Sequence, residues 1–171
     1  MWWALCPPHT WGDRMKLQVG NTTLESGTIT HGTLRTEDLE DAFLPVLKDV
    51  SLDEWIAIRD EMAADEQDGI SADASDERRL DRLHSIMDML DAAGPPFWSF
   101  GTTDGDGSDF GFWPCLDAYE QGVTDGEILQ VTDSDDVPED YEGEFAIISD
   151  HGNVSLFARY QGRLHVIWEV V

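Results

Sequence analysis

The period of the apolar residues changes twice along the chain. Residues 16–19 and 23–30 are short, strand-like runs on either side of a Gly20-Asn21 turn candidate, and they predict two strands. From Thr36 onward the spacing becomes helical. Leu39, Phe43, Val46 and Leu47 mark one face, Thr36 is placed to cap the helix, and Glu37-Asp38 favours its positive end. Pro45 falls inside this pattern and should kink or shorten it. Ser51-Leu-Asp-Glu54 is a capping box, and Leu52, Trp55, Ile56 and Met62 supply the stripe of a second helix. Residues 65–75 are polar and acidic and read as a loop. A third helix follows over residues 77–93, with Leu80, Leu83, Met87 and Leu90 in 3–4–3 spacing and Gly94-Pro95-Pro96 as its stop.

Past that stop the period shortens again. Residues 97–101 and 110–113 read as two strands with a polar connection, and residues 127–132 as another, followed by an acidic loop over 133–143. The clearest pattern is at the end: residues 144–149, 154–160 and 164–171, joined by Asp150-His-Gly-Asn153 and Gln161-Gly162, predict a β-meander. No internal repeat is present. The prediction is an α+β fold, an antiparallel sheet with a C-terminal β-meander and about three helices packed on one side. Residues 15–171 form one domain in this reading.

Residues 1–14 stand apart. They open on Met1-Trp-Trp, carry no basic region suited to a signal peptide, and end in Gly12-Asp13-Arg14, which a purine-rich ribosome-binding sequence can encode. A translated leader before a start at Met15 is the expectation; the alternative is an arm anchored by its tryptophans.

Composition removes several classes of function. With 41% hydrophobic residues, seven Trp and seven Phe in 171 residues, the chain can build a core and is not an acidic disordered tail. No apolar run is long enough to span a membrane, and a cytoplasmic protein is expected. Two cysteines, Cys6 and Cys115, make no disulfide framework, and the five histidines lack zinc-ligand spacing, so no cofactor is expected.

Charge carries more information. Thirty-six Asp and Glu oppose ten Lys and Arg, a net charge of −26, which argues against direct binding to nucleic acid or to an anionic membrane. Residues 36–144 hold 32 acids against five bases, whereas residues 145–171 are neutral. Asp outnumbers Glu 23 to 13 and Arg outnumbers Lys 8 to 2, a leaning compatible with a salt-adapted host. Salt adaptation should spread over every exposed element; the uneven distribution favours a dedicated acidic surface.

Three segments carry a resemblance: Thr30-His-Gly-Thr-Leu-Arg-Thr-Glu-Asp-Leu39, Gly105-Asp-Gly-Ser-Asp-Phe-Gly-Phe-Trp113 and Ser149-Asp-His-Gly-Asn-Val154. Together they resemble uncharacterised small acidic proteins of phages, plasmids and integrated conjugative elements. The resemblance implies a mobile-element setting, in which small acidic proteins often counter host defence. It transfers no functional residue.

Candidate chemistry is of four kinds. Asp104, Asp106 and Asp109 sit in a glycine-rich run that invites calcium, but the EF-hand template fails where it needs Gly and a final Glu. Phe97, Trp98, Phe100, Phe110, Phe112 and Trp113 either line a groove or pair across strands as core. Asp150-His151 with Cys115 would suit nucleophilic catalysis only if the fold brought them together. The fourth is the acidic field: Glu37, Asp38, Asp41, Asp53, Asp60, Glu61, Asp65, Asp68 and Asp73, together with Asp133, Asp135, Asp136, Glu139, Asp140 and Glu142. On a helix, carboxylates four residues apart lie about 6 Å apart along the axis, the scale of successive phosphates. Such an array predicts a non-enzymatic inhibitor that mimics DNA or RNA. Its partner would be a basic nucleic-acid-binding host protein: a nuclease such as a restriction enzyme, a CRISPR effector, or a nucleoid protein. The alternatives are an acidic accessory protein, salt-adapted or calcium-binding, and a small hydrolase-like enzyme.

Overall fold

The computed structural model describes residues 16–19, 22–68, 72–103 and 105–170; the side chains of Gln18, Asp68, Ala72, Asp73 and Val170 are outside that description. The leader expected over residues 1–14, and Asp104, lie outside it too. The chain gathers into two compact units, Lys16–Trp113 and a second built from Pro114–Val171, where the sequence reads as one domain. The α+β class holds: the described residues form four α-helices and nine strands, with antiparallel pairing dominant.

In the first unit, β1 (Lys16–Val19) and β2 (Thr22–Glu25) form a hairpin, and β3 (Gly27–His31) leads into three helices, α1 (Thr36–Val50), α2 (Leu52–Asp68) and α3 (Ala72–Ala93). Strands β4 (Trp98–Thr103) and β5 (Asp106–Pro114) then complete a sheet in the order β3-β5-β4. Four of the six clustered aromatics, Trp98, Phe100, Phe110 and Phe112, are core, and Phe97 and Trp113 are half-buried. Phe43 of α1 meets Phe100 and Phe110 edge-on at 5.1 and 5.5 Å, Phe100 meets Phe112 at 5.2 Å, and Trp98 is buried beside them. Edge-on packing suits the opposed charge of ring faces and ring edges.

Several local expectations are corrected here. Thr36 is the first helical residue and not the cap; Arg35 holds that position without a side-chain bond. The entry is fixed instead by Thr33, whose hydroxyl accepts from the Arg35 N–H and donates to Asp38 at 2.7 Å. Helix α1 runs through Pro45 to Val50, because Pro45 and Asp41 are both exposed and water can satisfy the carbonyl that proline leaves unpaired. The region read as a loop over 65–75 is mostly helix: α2 reaches Asp68 and α3 begins at Ala72.

The second unit opens with α4 (Leu116–Asp125), an element absent from the sequence reading, which Gly126 closes in the left-handed conformation at φ 76°. Strands β6 (Ile128–Val131), β7 (Gly143–Ile148), β8 (Val154–Tyr160) and β9 (Arg163–Val170) follow in that spatial order. The antiparallel meander β7-β8-β9 agrees with the expectation. Strand β6 departs from it, pairing parallel with β7. A parallel neighbour cannot be reached by a tight turn, so residues 132–142 must cross over to the starting end of β7. Trp168 is fully buried and meets Tyr119 of α4 edge-on at 5.7 Å.

Candidate functional site

The predicted carboxylates divide between the two units: Glu37 through Asp73 belong to the first, and Asp133 through Glu142 to the second. Their roles also divide, because the three helices enclose an ion-pair network that sequence reasoning missed.

Arg82 of α3 and Glu40 of α1 are 5% and 3% exposed, yet both are charged residues. Such burial is tolerable only with partners in good geometry. Arg82 Nε donates to Glu40 Oε1 at 2.8 Å, and its Nη1 donates to Asp65 Oδ2 of α2 at 2.9 Å. Glu61 lies 3.7 Å from the same guanidinium. Arg78 donates to the other Asp65 oxygen at 2.6 Å, while Arg79 reaches Glu37 and Glu40 at 3.5 and 3.4 Å. One α3 face of three arginines thus ties α1 and α2 together. Burial alone would lower the Arg82 pKa, but its hydrogen bonds to Glu40 and Asp65 outweigh that and raise it.

Asp65 is therefore a bracing residue between helices. Hydrogen bonds from Arg78 and Arg82 hold its carboxyl below the usual carboxylate range. A pKa lower in the folded chain than in the unfolded chain gives stability that is present above about pH 4 and lost as pH falls through the folded value. Asp65→Asn is expected to lower Tm at neutral pH and to flatten the acid limb of a Tm-against-pH profile below about pH 4. An acid limb of unchanged steepness would count against this assignment.

What remains available on the helices is a smaller set. Glu37 is paired with Arg35 and Arg79, and Asp38 with Thr33. Asp41, Asp53 and Asp60 are exposed and have no partner among the described residues, and Glu61 is half exposed. The cations are all occupied. Besides the three arginines of α3, Lys48 and Arg59 lie over the Trp55 ring, 5.0 and 5.9 Å from its centroid.

The crossover of the second unit is braced as well. Arg159 donates to the carbonyls of Pro138 and Glu139, and Tyr141 to the carbonyl of Glu144. Glu142 accepts the N–H groups of Gln161 and Gly162 at 2.7 and 3.0 Å, capping the β8–β9 turn, where both residues have positive φ. Tyr160 donates to Glu144; burial first, then that carboxylate, pushes its phenol up to about 12. Asp133 caps its own turn by accepting from the Asp135 N–H. Asp135, Asp136, Glu139 and Asp140 are exposed.

The other candidates assemble less. Asp106 accepts from the Ser108 N–H and hydroxyl and lies 3.4 Å from His31; these contacts, Ser108 first, hold its pKa down. Asp109 Oδ1 is buried and unpartnered among the described residues, but no three metal-ligating side chains converge there or elsewhere among them. Cys115 is half-buried ahead of α4, His151 is exposed in the β7–β8 turn, and no hydrogen bond joins them. No described helix is long and apolar enough to cross a membrane. Compared with protein-family models, with curated proteins and with solved structures, the chain matches none.

Proposed function

We propose that the chain is a non-enzymatic acidic inhibitor whose helices occupy the nucleic-acid-binding surface of a basic host protein. The observation that carries this reading is the fate of the cations on α1–α3. These helices hold 18 carboxylates and five cations, and every cation is engaged with a carboxylate or with Trp55. None of these five cations pairs with Asp41, Asp53 or Asp60, which are exposed on helices braced by the Arg82 network. A polyanion fixed in this way loses little conformational freedom on binding and steers a cationic partner toward it. The mobile-element resemblance is consistent with a host target.

The test is displacement of a fluorescent DNA duplex from a purified lysine-rich nucleoid protein. The full chain should displace the duplex at low salt, and Asp41→Asn/Asp53→Asn/Asp60→Asn should weaken displacement roughly tenfold by removing three charges. Displacement that persists unchanged above roughly 0.5 M salt would contradict a phosphate-like mode.

One observation favours a second reading, salt adaptation: both units are acidic, with 22 carboxylates against seven cations over residues 16–113 and 13 against two over residues 114–171. That reading requires molar KCl for a folded chain, whereas the inhibitor requires a folded chain at low salt.

A further inference from the structure

Helix α2 is an unusually exposed element. The side that meets its neighbours is a narrow seam of Trp55, Ile58, Met62 and Asp65, and Ile58 is its only buried apolar residue among those described. At about 100° per residue, the opposite side carries two parallel rows. Leu52, Ile56 and Ala63 make the first, and Leu52 and Ile56, one turn apart, are 55% and 45% exposed. Asp53 and Asp60, seven residues apart, make the second row directly alongside. Arg59 lies on the far edge of the apolar row, over Trp55, and leaves the acidic row unneutralised.

We propose that this face docks a basic amphipathic helix of the partner, its apolar edge along Leu52, Ile56 and Ala63 and its Lys/Arg flank against Asp53 and Asp60. This rests on the inhibitor reading and names what the partner presents. An apolar row alone would accept any hydrophobic helix; flanking acids at heptad spacing select cations on the incoming one, as the edge positions of a coiled coil do. A second copy of the chain would set its own Asp53 and Asp60, and a net charge of −26, against the same acids. A nucleic acid has no apolar edge to offer and is repelled.

The experiment titrates the full chain with a fluorescent 18-residue peptide carrying Leu at i, i+3, i+4 and i+7 and Lys beside them. A control peptide has the same composition and charge in an order without helical period. The amphipathic peptide should bind at least tenfold more tightly than the control. Leu52→Ser/Ile56→Ser should abolish that preference and leave charge-driven binding to both peptides. Asp53→Asn/Asp60→Asn should weaken both and lower the salt dependence. All four positions are exposed, and circular dichroism checks that the variants stay folded. Equal binding of the two peptides, or a preference that survives Leu52→Ser/Ile56→Ser, overturns the proposal. So does a dimer in sedimentation that the same pair of serines dissolves, which would assign the face to a second copy. Duplex displacement, run in parallel, separates the two ideas: displacement without peptide preference defeats only the docking face, and peptide preference without displacement defeats only the inhibitor reading.

Discussion

Arg82→Ala is expected to be the most damaging single substitution among the charged residues. It removes the guanidinium that Glu40 and Asp65 share, and leaves Glu40, 3% exposed, with only Arg79 at 3.4 Å. Breaking a buried pair from one side costs about 3–5 kcal/mol. For a unit of about 100 residues, the low end of that range already lowers Tm by at least roughly 12 °C. Arg82→Lys should recover only part of the loss, because one ammonium cannot present two donors in fixed directions to carboxylates on two helices. Glu40→Leu/Arg82→Met is the informative comparison. With both buried charges replaced by apolar side chains of similar length, the double variant should be more stable than Arg82→Ala. A second readout separates packing from charge. Asp65 keeps Arg78 as a partner, but α2 buries only Ile58 among its described apolar residues whereas α1 buries five, so Arg82→Ala should speed amide exchange along residues 52–68 more than along α1. If the three variants melt alike, or exchange rises evenly over the unit, the network does not organise these helices.

That network also marks where sequence reasoning stops. The spacing predicts a stripe of Leu80, Leu83, Met87 and Leu90 for α3; the buried positions are Arg82, Leu83, Ile86 and Leu90, and Leu80 is 44% exposed. A hydrophobic count rotates the helix because it cannot know that Arg82 belongs inside. The signal was present in another form: Arg78, Arg79 and Arg82 hold most of the positive charge of an otherwise acidic stretch, on one helical face. Their partners lie more than 10 residues away on other helices, so local spacing could not supply them. For the same reason residues 65–68 read as loop. Asp65 favours the helix only once Arg78 and Arg82 are in place.

Local rules did better where the structure is local. The meander β7-β8-β9 follows from alternation and from two turns with a glycine at positive φ, Gly152 in one and Gly162 in the other. The parallel pairing of β6 has no comparable signature, since a crossover leaves no turn motif behind. Glu142 shows how this affects a site. As a member of an acidic run it reads as a partner-binding residue; in the fold its carboxylate caps a turn by accepting from Gln161 and Gly162. On the helices, Asp41, Asp53 and Asp60 stay exposed and without a partner among the described residues, and in the second unit Asp135, Asp136, Glu139 and Asp140 are exposed.

Gly111→Ala is expected to be as damaging as the loss of Arg82, for a purely steric reason. Gly111 lies in β5, the central strand of β3-β5-β4, paired with Thr28. A Cβ there would collide with the Gly27 carbonyl oxygen, and would stand 2.7 Å from its carbon and 3.2 Å from the Thr28 Cα. Every obstructing atom is backbone, so no rotamer relieves the clash, and β3 must move by on the order of 1 Å to reach ordinary contact. Moving β5 instead would carry Phe110 and Phe112 away from Phe43 and Phe100. Overpacking a core costs about 1–3 kcal/mol where side chains can yield. A backbone collision should exceed that range and lower Tm by more than roughly 12 °C. Gly101→Ala in β4 is the control. Nothing lies within 4 Å of its Cβ position, and the added methyl reduces the freedom of the unfolded chain, so its effect should be within about 1 kcal/mol of neutral. If the two alanines destabilise equally, glycine content in general and not the approach of β3 to β5 sets the stability of this sheet. If only Gly111→Ala does so, the close crossing is what holds β3 in register and delivers the chain at His31 to the start of α1, where Thr33 and Asp38 begin the acidic helical layer.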